Sequence, residues 1–284
     1  VQFELPGTLA LPDGRYLARG DGGEGSERVL VVETLAAPAH PRRRRRKPKD
    51  AATTGGPSPL PLTRVTAVRA EEPFESERDA AAWLAGATAE EEATDAAVAA
   101  GIALLNRALH AQAVAAAEPD WTALRPEQAT KVLVGHGSGE QVASGRFTDA
   151  RGVDVRGGSS RRRRRDEQLR PQERLAAILG NRETADVCET LLLRARAELD
   201  ANRPREAALQ LRVALEALLA ELDGALNDAD HENDMTELKQ RRKQVGDAAN
   251  AALQGSLTSE DERHVNELTE LCERVLRRRR VLRA

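Results

Sequence analysis

The feature that most constrains this chain lies in its carboxy-terminal third, where apolar residues recur every three or four positions from Arg182 to Arg283. In the segment opening at Pro204, the residues Ala208, Leu211, Leu215, Leu218, Leu222 and Ala225 hold one side of a helix, and Leu219 and Leu226 widen the stripe. Pro204 suits a first helical turn, where its missing amide hydrogen costs nothing. The preceding segment places Val187, Leu191, Ala195 and Leu199 on one face and breaks at Asn202-Arg203. A third helix is expected after the acidic stretch Asp228 to Asp234, with Met235, Leu238, Val245, Ala249 and Leu253 as its seam and Arg242 interrupting it. The fourth begins with Ser259 and Glu262 at capping-box spacing and continues through Val265, Leu268, Cys272 and Val275. Helices with such stripes bury them only against one another, and the short turns between them favour an antiparallel bundle.

Upstream the pattern changes to short runs rich in valine, leucine and threonine. Gln2 to Leu5, Arg15 to Arg19, Arg28 to Leu35, Leu62 to Arg69 and Lys131 to Val134 read as strands separated by turn residues. Pro12-Asp13-Gly14 is expected to be a tight reversal, with Gly14 at positive φ. Ser76 and Asp79 open a short helix containing Trp83. A longer one, roughly Ala89 to Ala117, carries Val98, Ile102, Leu105 and Leu109 on one stripe. It is expected to pack on the sheet or reach the bundle. The chain therefore reads as α+β. A small β-rich, mixed domain over 1–155 carries a basic loop at about 38–60. An arginine-rich linker over 156–170 leads to a helical bundle over 171–284.

Residues Leu191 to Leu222, LLLRARAELDANRPREAALQLRVALEALLAEL, resemble the first half of HEPN-type bundles and also a tetratricopeptide hairpin. The second likeness rests on Asn202 at the turn, Glu206-Ala207 opening the following helix, and Ala214-Leu215 within it. HEPN domains of the ribonuclease kind pair an arginine with a histidine at a wider spacing than either Arg107 with His110 or Arg263 with His264. The resemblance thus implies a non-catalytic, partner-binding member.

Composition narrows the chemistry. In 284 residues, 43 basic side chains face 46 acidic ones, a net charge of −3 that marks neither a general nucleic-acid binder nor an acidic tail. Abundant alanine and arginine with only 2% aromatics resemble high-GC coding bias. Cys188 and Cys272 lie far apart on apolar helix faces, which points to a reducing, cytoplasmic compartment. Neither a signal peptide nor a run of eighteen apolar residues is found, so no membrane association is expected. The five histidines are scattered and no CxxC occurs, so no metal or cofactor is expected.

Two features invite a binding role. Gly135, His136, Gly137, Ser138 and Gly139 follow a strand, as phosphate-cradling loops do. The Lys-Ser/Thr ending of a Walker loop is missing, and Glu140 stands where a dinucleotide fingerprint needs glycine, so a structural turn is the expectation and a small-ligand loop the alternative. A His136–Ser138 nucleophile pair would need a third orienting group. The acidic stretch from Asp228 lacks the glycine and glutamate of a calcium loop and reads as helix capping.

The second feature is three basic runs: Arg42, Arg43, Arg44, Arg45, Arg46 and Lys47; Arg161, Arg162, Arg163, Arg164 and Arg165; and Arg277 to Arg280. If one run met about five phosphates, log affinity would fall against log salt with a slope of about −4.5. No aromatic lies within any run to stack a base. Arg277 to Arg280 are expected to complement the dipole of the last helix. The expected function is a non-enzymatic interaction protein, whose bundle binds a protein partner or itself. The alternative is weak, non-specific binding of nucleic acid through the two loop runs.

Overall fold

A computed structural model describes residues 1–19, 27–35, 60–70, 73–155, 172–224, 228–255 and 257–283. The chain divides into two compact units, Val1–Gly158 and Ser159–Ala284. The basic loop at 38–60 and the arginine-rich linker fall outside the described residues, apart from Leu60.

The first unit is built on six antiparallel strands: β1 (Gln2–Pro6), β2 (Gly14–Arg19), β3 (Glu27–Leu35), β4 (Leu62–Arg69), β5 (Lys131–His136) and β6 (Asp149–Val153). They lie in the order β2-β3-β4-β1-β5-β6. Alternation sorts the side chains. Leu30, Val32, Val65, Phe3, Val132 and Val134 point to one face and are buried. That face packs against α1 (Glu77–Ala87), through Leu84, and α2 (Glu91–Ala116), through Val98, Ile102, Leu105 and Leu109. α2 is long and apolar enough to cross a membrane by composition alone, yet this stripe lies on the sheet. Gly101 lets it lie close, since a Cβ there would come within 3.1 Å of the Phe3 ring. Asn106 ties α2 to the following loop by donating to Leu124 O at 2.9 Å and accepting from Leu124 N at 2.8 Å.

Ser76 caps α1 as its spacing predicts, accepting from Asp79 N. The Pro12-Asp13-Gly14 expectation is corrected: Gly14 is the first residue of β2, and the left-handed glycine of this region is Gly7, at φ 88°. Asp13 instead holds the β2–β3 hairpin by accepting from Thr34 N and Oγ1 at 2.9 and 2.7 Å. Those two bonds draw its carboxyl below the usual range.

The second unit contains α4 (residues 172–179), then α5 (Val187–Asp200), α6 (Pro204–Leu222), α7 (Ala229–Gln254) and α8 (Ser259–Arg283); α3 (Gly139–Ala143) belongs to the sheet unit. α5 to α8 pack together as antiparallel helices around Leu211, Leu215, Leu218, Leu222, Leu238, Leu268 and Val275. At about 25 cal/mol per Å² of buried apolar surface, this leucine-lined interior is what holds the unit together. Ala225 and Leu226 lie outside the described residues.

Four expectations shift. The buried face of α5 is Cys188, Leu192 and Ala195, with Leu191 and Leu199 at its margin and Val187 turned to solvent. On α7 the seam ends in Ala248, Ala249 and Ala252, while Leu253 is exposed. The acidic stretch lies inside α7 rather than before it, because Asp228 is the cap and accepts from His231 N at 2.8 Å. The box at the start of α8 is formed by Thr258 and Asp261: Asp261 N donates to Thr258 Oγ1 and Thr258 N donates to Asp261 Oδ2, each at 3.1 Å.

Candidate functional site

The glycine stretch leaves the sheet for α3: Gly135 and His136 end β5, and Gly139 opens the helix. Gly135 lies in β5 opposite Ala150 of β6, and a Cβ on it would fall 2.6 Å from Asp149 O and 2.9 Å from the Phe147 ring. A Cβ on Gly137 would come within 2.9 Å of Val142 Cγ2. These two positions are glycine because β6 and its approach press on them. Ser138 precedes α3 without a side-chain capping bond, and open space surrounds Gly139. His136 is buried, and its Nε2 has no hydrogen-bond partner among the described residues. Glu140 turns outward to Arg15, 3.1 Å away. Gly145, at φ 71°, closes the turn after α3, and its carbonyl accepts from Gln2 Nε2 at 3.1 Å.

Of the basic runs, Arg42 to Arg46 with Lys47 and Arg161 to Arg165 lie outside the described residues. The third run is described: Arg277 lies 3.9 Å from Glu273 of its own helix, and the other three arginines pair with carboxylates elsewhere in the bundle. Because the bundle is antiparallel, the end of α8 meets the starts of α5 and α7, whose first turns are acidic. Arg278 pairs with Asp230 at 2.7 Å and with Asp234 at 3.3 Å; Arg279 pairs with Asp186; Arg280 reaches Glu189 at 3.4 Å. Arg274 adds a pair to Asp234 at 3.1 Å. Glu189, only 8% exposed, also accepts from Arg174 of α4 at 2.6 Å. His231, fully buried beside this network, donates from Nε2 to Leu222 O at 3.3 Å and so joins α7 to the end of α6.

Midway along the bundle, α6 and α7 leave a cleft of about 410 Å³ floored by Leu215, Val245 and Gly246. Arg212 and Glu216 form one wall; Lys239, Arg242 and Lys243 form the other. Arg242 grips Glu216 with two parallel bonds of 2.7 and 2.6 Å, which raises the already high pKa of its guanidinium. Lys239 pairs with Asp223 at 2.7 Å, and Arg212 donates to Asn250 Oδ1 at 3.0 Å. Among the described residues, neither Arg212 nor Lys243 has a carboxylate within 4.0 Å. Sequence reading missed this site, treating Arg242 only as a break in the seam. The available signal was the KQRRK run from Lys239 to Lys243 on the polar side of α7.

The bundle also exposes apolar side chains unevenly. Leu175 and Leu179 of α4 and Val187 and Leu193 of α5 are each more than half exposed; elsewhere among the described residues of this unit only Val213 and Leu253 are. Arg174 fixes α4 to the start of α5 by pairing with both Glu183 and Glu189.

Among the described residues no group of three or more histidine, cysteine, aspartate or glutamate side chains is placed to hold a metal ion. No protein-family model, curated protein or solved structure matches this chain.

Proposed function

We propose that the chain is an interaction protein whose helical bundle makes the contact, and that a second copy of the chain is its first partner. One observation carries the reading: four of the six large, exposed apolar side chains among the described residues of the bundle unit fall on α4 and the first half of α5. Scattered singly they would need no explanation, but gathered on two successive helices they resemble the core of a contact surface. Apolar surface is also self-complementary. A two-fold contact sets the same patch against itself, which repels where the patch is strongly charged and does not where it is apolar.

On α5, Val187, Thr190, Leu193 and Ala197 lie within about a third of the helix circumference and are all exposed. The HEPN-like and tetratricopeptide-like resemblances of α5 and α6 agree with a partner-binding bundle. Size-exclusion chromatography with light scattering of the full chain, from low to high micromolar, tests this. A concentration-dependent dimer that Leu179→Glu with Leu193→Glu converts to monomer is the expected result. A monomer at every concentration, or a dimer untouched by both changes, refutes it.

A further inference from the structure

The cleft between α6 and α7 is not used by that reading and carries its own. Four cations, Arg212, Lys239, Arg242 and Lys243, face it, with Glu216 as the single carboxylate among its lining residues. They converge from two walls instead of running along a track. Lys239 and Lys243 are four residues apart on α7, about 6 Å along the axis at 1.5 Å per residue, with Arg242 between them. Arg212 approaches from α6. Convergence of this kind suits a compact ligand with several adjacent negative charges better than an extended backbone. The volume lies within the range of small-molecule sites, about 300 to 1,000 Å³.

Two details support a ligand. The bidentate hold on Glu216 shows that the Arg242 fork accepts an anion from within the cleft, in the geometry an arginine also offers to phosphate. Gly246 is the other. It sits inside the 26-residue α7, where glycine weakens a helix, yet a Cβ there would meet nothing within 4 Å. Packing within the chain therefore does not call for glycine at this place on the cleft floor. The missing side chain leaves room there beside Lys239 and Lys243.

We propose that this cleft binds an oligophosphate, meaning a chain of two or more linked phosphoryl groups, carried either by a free polyphosphate or by a nucleotide. Arg212 and Lys243, which have no carboxylate partner among the described residues, take the outer phosphoryl groups. Arg242 exchanges Glu216 for the ligand.

The test is isothermal titration of the full chain with sodium tripolyphosphate and, separately, with ATP, at ionic strength matched by chloride. Saturable one-to-one binding of tripolyphosphate is expected. It weakens by about tenfold in Arg212→Gln and again in Lys243→Gln, as loss of a charge-assisted bond implies. These side chains are exposed, so both variants keep the parent helical signal. Gly246→Leu, which fills the floor, also abolishes binding.

ATP binding more tightly than tripolyphosphate identifies the nucleotide as the source, and equal or weaker binding identifies the phosphate chain. Four results overturn the proposal. They are no saturable binding, binding retained by the Arg212→Gln/Lys243→Gln double variant, binding lost only when Arg42 to Arg46 and Arg161 to Arg165 become glutamine, and a twenty-nucleotide DNA strand that outcompetes tripolyphosphate through Arg212 and Lys243. Because none of these variants touches α4 or the outer face of α5, failure here leaves the dimer reading standing, and the reverse holds.

Discussion

Glu189→Gln is expected to loosen the bundle while leaving the sheet unit unchanged. The carboxylate accepts from Arg174 Nη2 at 2.6 Å and from Arg280 Nη2 at 3.4 Å, and the side chain is only 8% exposed. A hydrogen bond to a charged group contributes about 1.5–3 kcal/mol. Glutamine keeps one acceptor oxygen, but it turns an NH₂ toward a guanidinium that has no use for a second donor. The Arg280 bond is long and Arg280 is half exposed, so it adds little. Arg174 can still pair with Glu183 and is itself partly hydrated, which limits the loss. The expected cost is about 2–3 kcal/mol, on the order of 10 °C or more in the melting temperature of a unit this size.

Both tryptophans, Trp83 and Trp121, lie in the sheet unit, so their fluorescence reports that unit alone. Most of the described helical residues belong to α5 to α8, so circular dichroism at 222 nm reports chiefly the bundle, with a smaller share from α1 and α2 of the sheet unit. In urea titrations at pH 7, the dichroism midpoint should fall and the fluorescence midpoint should stay. The pH dependence gives the sign. Burial alone would raise the Glu189 pKa, but the guanidinium groups of Arg174 and Arg280 outweigh it and hold the carboxyl below its usual range. A depressed folded pKa contributes stability that is fully present above the unfolded glutamate value of about 4.3 and is lost as pH falls through the folded value. The gap between parent and variant should therefore narrow below pH 4. A gap under about 0.5 kcal/mol at pH 7, within the usual spread of neutral surface changes, would refute the argument, as would one of equal size at pH 7 and pH 3.

Thr258→Ala should cost about 1 kcal/mol of bundle stability because it removes the hydroxyl that accepts from Asp261 N and donates to Asp261 Oδ2, leaving only the backbone half of the α8 box, whereas its neighbour Ser259→Ala should be close to neutral; urea midpoints by dichroism separate the two. Burial pushes the Cys272 thiol up to about 12 and raises the Cys188 thiol as well, so at pH 7.5 neither should react with a disulfide reagent until denaturant is added, and rapid labelling of the native chain would contradict this. Gly135→Ala places a methyl group 2.6 Å from Asp149 O and should destabilise the sheet unit by about 1–3 kcal/mol in fluorescence-monitored urea titrations, with the dichroism midpoint of the bundle unchanged.

Much of the architecture was legible because local chemistry and tertiary packing agree in it. The runs around Val31, Val65 and Val132 alternate as half-buried strands do, and Leu211, Leu215 and Leu218 keep one helical phase for several turns. Where phase was ambiguous, reading failed. In VCETLLL from Val187, two apolar registers fit equally well, and contact with the neighbouring helices selects the one containing Cys188 and Leu192. β6, DARGV, has little apolar character of its own and exists because β5 offers it an edge. Thr258 and Ser259 both carry a hydroxyl that can cap, and only backbone geometry distinguishes them. The cleft was invisible for a different reason. Its two walls come from Arg212 and Lys243, thirty-one positions apart, and nothing in either segment alone implies a concavity.

The first strand of the chain lies inside the sheet, between β4 and β5, which follow it by about 60 and 130 residues. Such a sheet cannot assemble hairpin by hairpin from its beginning, because Phe3 finds neither lateral neighbour until distant segments return and large loops close. In the bundle only a few residues separate each of α5 to α8 from the next, so its nucleus is local. In a refolding experiment the dichroism should recover early and the tryptophan signal should trail behind it, since rates fall as contacts become more remote in sequence.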